Sequence, residues 1–253
     1  MNHVIRALSL CFAVVWASAA PASIKNELIR IGEAVLTKIA LDPADFLFDI
    51  HLNAEDRTPL PIDKDGQVGM NVFPALIPFT EVNLSGKAKL HREHAGWPQI
   101  DINFGGWNSI AGMVASGMVE DFKGGLYGYH GGISAAVSAD PRLRLFGGYE
   151  FSQMRVDVTV NFKDSSTSTG TGFDLQNSLS HLNVGKTEHF LFAGAEVLRS
   201  ARKRLVAEVG YGVVSNKLMA RLTWSSKNFD SGFVFFPESA WVLWPVWNFQ
   251  VRF

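Results

Sequence analysis

The sequence predicts an all-β fold, an antiparallel up-and-down β-barrel of about twelve strands preceded by an N-terminal amphipathic helix. Three observations predict it. Apolar and polar residues alternate with a period of two through most of the chain after residue 43, which separates the two faces of a sheet. The segment Trp247 to Phe253 shows this most clearly: Trp247, Phe249, Val251 and Phe253 share one face, and Asn248, Gln250 and Arg252 the other. The chain is 47% hydrophobic and 12% aromatic, yet no apolar run after Trp16 is long enough for a membrane helix, so the apolar content is distributed over strands.

Residues 1–22 read as a secretory leader. Arg6 supplies the positive start, Ala7 to Trp16 the short apolar run, and Ala17-Ser18-Ala19 or Ala20-Pro21-Ala22 the small-residue cleavage site. Cys11 is the only cysteine and lies inside that leader, so the mature chain has no disulfide to hold it. Residues 23–42 read as a helix. Ile24, Leu28, Ile31, Val35 and Ile39 form one stripe, Ser23 caps the start and Asp42-Pro43 ends it. Residues 43–253 read as the barrel. Alternation marks strands at 46–52, 67–72, 81–90, 99–104, 110–119 (the weakest), 127–138 and 142–152. A change of parity near Gln153 suggests a bulge, followed by a projecting stretch to Phe162. Strands at 187–198, 204–213, 217–225, 229–236 and 242–253 complete the ring.

The closing strand, with Trp247, Phe249, Val251 and the C-terminal Phe253, resembles the last strand of bacterial outer-membrane β-barrels. The resemblance implies a transmembrane barrel in the outer membrane, contact with its lipid, and recognition of that strand by the barrel-assembly machinery. Counting strands backward from Phe253 places 73–78, 105–108, 139–141, 200–203 and 226–228 on the periplasmic side. The same count places 53–66, 91–96, 120–125, 163–186, 215–216 and 237–240 outside. Short turns on one side and longer loops on the other suit that class. Tyr127, Tyr129, Tyr211, Trp241 and Trp244 then fall near the external ends, and Trp107, Trp224 and Phe253 near the periplasmic ends, as two membrane interfaces would select. The competing arrangement is a soluble β-sandwich or lipocalin-like barrel. The leader, the missing disulfides and the aromatic ends favour the membrane. The plan of helix, strands and terminal aromatic is also similar to autotransporter translocator domains, in layout only, since no passenger separates leader from helix.

With the apolar face outward, the other parity lines the lumen. It carries Lys87, Arg142, Arg144, Glu150, Glu196, Arg204, Glu208 and Arg221, together with Glu81, Lys89, Asp101, His130, Lys217, Asp230 and Arg252. Two roles fit. Paired charges can hold a narrow barrel together, or Arg142, Arg144 and Arg204 can favour anions at the periplasmic mouth of a narrow channel for small solutes. The helix either plugs that channel or lies on the membrane surface. Two other functions stay open: an outer-membrane lipid or peptide hydrolase, and a closed structural or adhesive barrel binding through its loops, of which 164–172 is the most flexible in composition. No catalytic signature occurs. His91 and His94 lack a third converging ligand, so no metal or other cofactor is expected. A net charge of −1 without a basic cluster gives no sign of nucleic-acid binding.

Overall fold

The computed structural model describes residues 48–49, 52, 55–73, 81–109, 122–160, 181–200, 203–238 and 243–253. Ten strands follow one another: β1 (Gly66–Phe73), β2 (Glu81–His91), β3 (Gln99–Ser109), β4 (Phe122–Asp140), β5 (Leu143–Val160), β6 (His181–Ser200), β7 (Lys203–Gly212), β8 (Lys217–Ser225), β9 (Phe229–Phe235) and β10 (Leu243–Arg252). Each pairs antiparallel with its sequence neighbours, and β1 pairs with β10 to close the ring. Closure leaves no open sheet edge around the ring.

The alternation is inside out. In β7, Arg204, Val206 and Glu208 are buried while Val209 is 61% exposed. In β10, Asn248 and Gln250 are buried while Trp247, Phe249 and Val251 stand outward. Buried charged and polar side chains under an apolar outer face reverse the arrangement of a soluble barrel.

The count of ten corrects the expected twelve. Phe48, Asp49 and Leu52 are helical, not extended. Phe48 and Leu52 stand four residues apart, a spacing that fits one face of a helix as well as one face of a strand. Residues 110–119 lie outside the described residues, but β3 pairs directly with β4, so no strand separates them. That extra strand also inverted the side of everything before it. Asp65 N–H and Gly66 N–H donate to the Phe253 carbonyl, and Arg92 pairs with Asp65, so both 61–65 and 92–98 sit at the Phe253 end. Phe73 and Glu81, the facing ends of β1 and β2, are at the opposite end, and 105–108 lies within β3. The expected helix at 23–42 is outside the described residues.

The bulge near Gln153 is absent. Pairing runs Tyr129 to Gln153 to Thr187 without a register shift. The long strands do project: β6 pairs with β7 only from Phe190 onward, and β3 meets β4 no further than Tyr127. Beyond that rim β4, β5 and β6 continue as a three-stranded extension.

Candidate functional site

The lumen is filled by the protein's own chain. Residues 55–60, Glu-Asp-Arg-Thr-Pro-Leu, are all buried and touch side chains around the ring. Upstream, Asp49 forms an ion pair with Lys217 at the opposite end (2.8 Å). Downstream, 61–65 emerge at the Phe253 end and turn into β1. The described residues of this stretch therefore reach from one end of the interior to the other.

Local sequence explains why this plug does not become a strand. Pro59 and Pro61 have no N–H to give to a ladder, and each holds the preceding residue extended. The carbonyls remain free, and wall cations take them. Arg221 donates to the Glu55 carbonyl, Lys87 Nζ to that of Thr58, Arg204 Nη1 to that of Pro59 (3.1 Å), and Arg144 Nη1 to that of Leu60 (3.2 Å). Leu60 N–H, between the prolines, donates to Asp101 Oδ2 at 2.7 Å. Asp56 receives Lys87 Nζ at 2.8 Å and Gln67 Nε2 at 3.0 Å.

Arg57 is the centre of the plug. It is 1% exposed and ion-paired with Glu150 (2.7 Å), Glu55 (3.0 Å) and Glu208 (3.9 Å). Its guanidinium lies 4.3 Å over the Phe190 ring, a cation–π contact strengthened by desolvation. Phe190 belongs to an apolar layer with Leu52, Met219, Val234, Phe236 and Trp244. Inward glycines make the room: a Cβ at Gly210 would collide with the Phe190 ring, and one at Gly105 with the His130 imidazole. Toward the Phe253 end, Glu196 bridges Arg144 (3.1 Å) and Arg204 (3.0 Å), and Asp230 pairs with Arg252 (3.3 Å). Among the described residues a cavity of about 40 Å³ lies between the plug and the polar wall, lined by Glu55, Asp56, Asn71, Asn83, His130 and Gln250 among others. This cavity has room for water and not for a larger solute.

Of the residues expected to line the lumen, Lys87, Arg144, Glu150, Glu196, Arg204, Glu208 and Arg221 are buried inside it, as are Asp101, His130 and Asp230. Arg142 is exposed in the turn between β4 and β5, outside the lumen. Glu208 and Arg221 are cross-strand partners; Glu196 turns instead to the two arginines. Glu55, Asp56 and Arg57, expected in an external loop at 53–66, lie inside the lumen instead. The one available signal was the Pro-x-Pro pair beside three charged residues. Gln99, which accepts from Arg144 Nη2 and donates to the Leu60 carbonyl, was also missed. His91 and His94 stand exposed at the Phe253 end, apart from the lumen. Searches against protein-family models and against curated proteins find no match to this sequence.

Proposed function

We propose that this chain is an outer-membrane β-barrel whose mixed-charge lumen is a narrow small-solute channel held shut by residues 55–60. The observation that carries the membrane reading is the inverted burial: Leu84, Val209, Phe233 and Val251 face outward while Arg144, Glu150, Glu196 and Glu208 are buried inside. Water on the outer face would oppose that arrangement, and hydrocarbon favours it. Strand length agrees, since β2, β3, β7 and β10 have 10 or 11 residues, and about 9–11 tilted residues cross a bilayer. Aromatic side chains at both rims, Tyr127, Tyr129 and Tyr211 at one and Trp224 and Phe253 at the other, suit two interfaces. In this reading the leader directs export, and the face carrying Trp247, Phe249, Val251 and Phe253 meets lipid and the assembly machinery.

The channel reading rests on how the plug is held. Cations on β2, β5, β7 and β8 grip backbone carbonyls, contacts that water or a solute can replace one for one. Withdrawal of 55–60 would leave a wet path lined by both signs of charge, with Arg144 and Arg204 near the Phe253 mouth. The second reading, a closed barrel acting through its ends, is favoured by the size of the residual cavity, about 40 Å³. Planar-bilayer conductance of the full chain and of an Asp56→Ala/Arg57→Ala variant separates them. The channel reading expects a silent parent and a conducting variant. Silence from both, with folding checked by heat-modifiable gel mobility, would leave the closed barrel.

A further inference from the structure

We propose that Glu55, His130 and Glu150 form a binding site for one divalent transition-metal ion, best suited to zinc, which pins the plug to the barrel wall. The three residues come from the plug, β4 and β5, and all are buried. One ligand atom from each lies within 4.8 Å of the other two. His130 Nδ1 is 3.4 Å from Glu150 Oε2 and 4.0 Å from Glu55 Oε1. Donor atoms around a tetrahedral zinc with bonds of about 2.0–2.1 Å stand roughly 3.3–3.4 Å apart, so small side-chain shifts close the site.

The carboxylate oxygens are divided in a way that suits a metal. Arg57 occupies Glu150 Oε1 and Glu55 Oε2, the atoms turned away from the imidazole. The atoms turned toward His130 are Glu150 Oε2, which accepts from Asn103 Nδ2, and Glu55 Oε1, which accepts from Ser152 Oγ at 2.9 Å. A carboxylate oxygen has two lone pairs and can accept one hydrogen bond while ligating. Asn103, Ser152 and Arg57 are then the supporting partners that ligating carboxylates require.

Two further observations point the same way. Glu55 and Glu150 share the single guanidinium of Arg57, while Glu208 also faces Arg221 across the β7–β8 pair, so at the site one guanidinium answers two buried carboxylates. A divalent cation beside Glu55 and Glu150 supplies the missing charge where desolvation makes its absence costly. The cavity next to Glu55 and His130 leaves room for a water as a fourth ligand. Because Glu55 belongs to the plug and the other two ligands to the wall, bound metal keeps the plug in place.

The test is zinc binding by the full chain refolded in detergent, read as bound metal after desalting and by competition with a chromophoric chelator. Cobalt substitution adds a visible spectrum that reports tetrahedral coordination. The expected result is about one zinc per chain, retained in a His91→Ala/His94→Ala variant and lost in His130→Ala. Asn103→Ala and Ser152→Ala, which spare the ligands, should each weaken binding roughly 10–100-fold. Glu55→Gln gives an independent arm if His130→Ala fails to fold. No bound zinc in the folded parent overturns the site, as does zinc that survives both His130→Ala and Glu55→Gln. Neither result depends on the membrane or channel reading, because the measurement needs only the folded barrel.

Discussion

Toward the end of the lumen opposite Phe253, Phe190, Met219, Val234, Phe236 and Trp244 interdigitate over Leu52. Toward the Phe253 end, Arg144, Arg204 and Lys87 hold the carbonyls of Thr58, Pro59 and Leu60. Both layers fill the barrel, but they respond differently to loss of a partner. An apolar layer that loses a contact gains a cavity, and neighbours relax into it. A charged layer that loses its plug keeps its charges, which must then find water or one another. In the proposed channel the apolar layer is the fixed filling, and the charged layer is the part that would open.

The largest expected effect comes from breaking the charged layer at its centre. Arg57→Ala strands Glu150 and Glu208 in the interior and should cost about 3–5 kcal/mol, as removal of one member of a buried pair does. Urea unfolding in micelles measures it, and the same variant should bring the first ion conductance. Next is the outer face. Leu222→Arg puts a charge where Leu222 is 39% exposed on the apolar surface, and should cost about 2–4 kcal/mol and impair insertion if that surface meets the bilayer core. Arg221→Leu, one residue away, removes the donor to the Glu55 carbonyl. It should leave insertion intact and loosen the plug, so equal insertion defects in the two variants would contradict the assigned faces. Overfilling the apolar layer is milder: Gly210→Ala drives a methyl into the Phe190 ring and should cost about 1–3 kcal/mol without opening the lumen.

Much of this was legible in the chain. From β7 to β10 the alternation separates an apolar outward face from the buried polar residues Arg204, Glu208, Arg221, Asp230, Asn248 and Gln250, but not from the equally buried Val206, Met219, Val234 and Trp244. It failed at 46–52, where Phe48 and Leu52 fit two periods at once, and at 110–119, where β3 and β4 pair directly instead. The inward charges were legible as a set, but their partners were not. Glu196 reaches Arg144 on one neighbouring strand and Arg204 on the other, and parity alone does not say which charges meet. The plug was illegible for a deeper reason. Its recognition runs mainly through carbonyl oxygens, which every residue carries, and a Thr-Pro-Leu-Pro run between charged residues reads as an ordinary surface loop.

The smallest expected effect lies outside both layers. Glu93, in the turn between β2 and β3, accepts Ser138 N–H at 2.7 Å and Ser138 Oγ at 2.8 Å. Slight burial alone would raise its pKa, but those two hydrogen bonds outweigh it and hold the carboxyl below its ordinary range. A depressed carboxyl stabilises the fold above the unfolded pKa, and that contribution disappears as pH falls through the folded value. The stability difference between the parent and Glu93→Gln should therefore be present near neutral pH and vanish in acid. A difference independent of pH would mean that these hydrogen bonds do not couple to the proton.

The most direct test of the central claim, that residues 55–60 occupy the lumen, is thiol labelling in a Cys11→Ala background. Leu60→Cys replaces a side chain that is 0% exposed, and Asp63→Cys replaces one that is exposed at the Phe253 end. With a water-soluble maleimide, the folded barrel should label quickly at position 63 and at position 60 only after denaturation. Equal labelling rates at the two positions in the folded protein would place the plug outside the lumen and contradict the account.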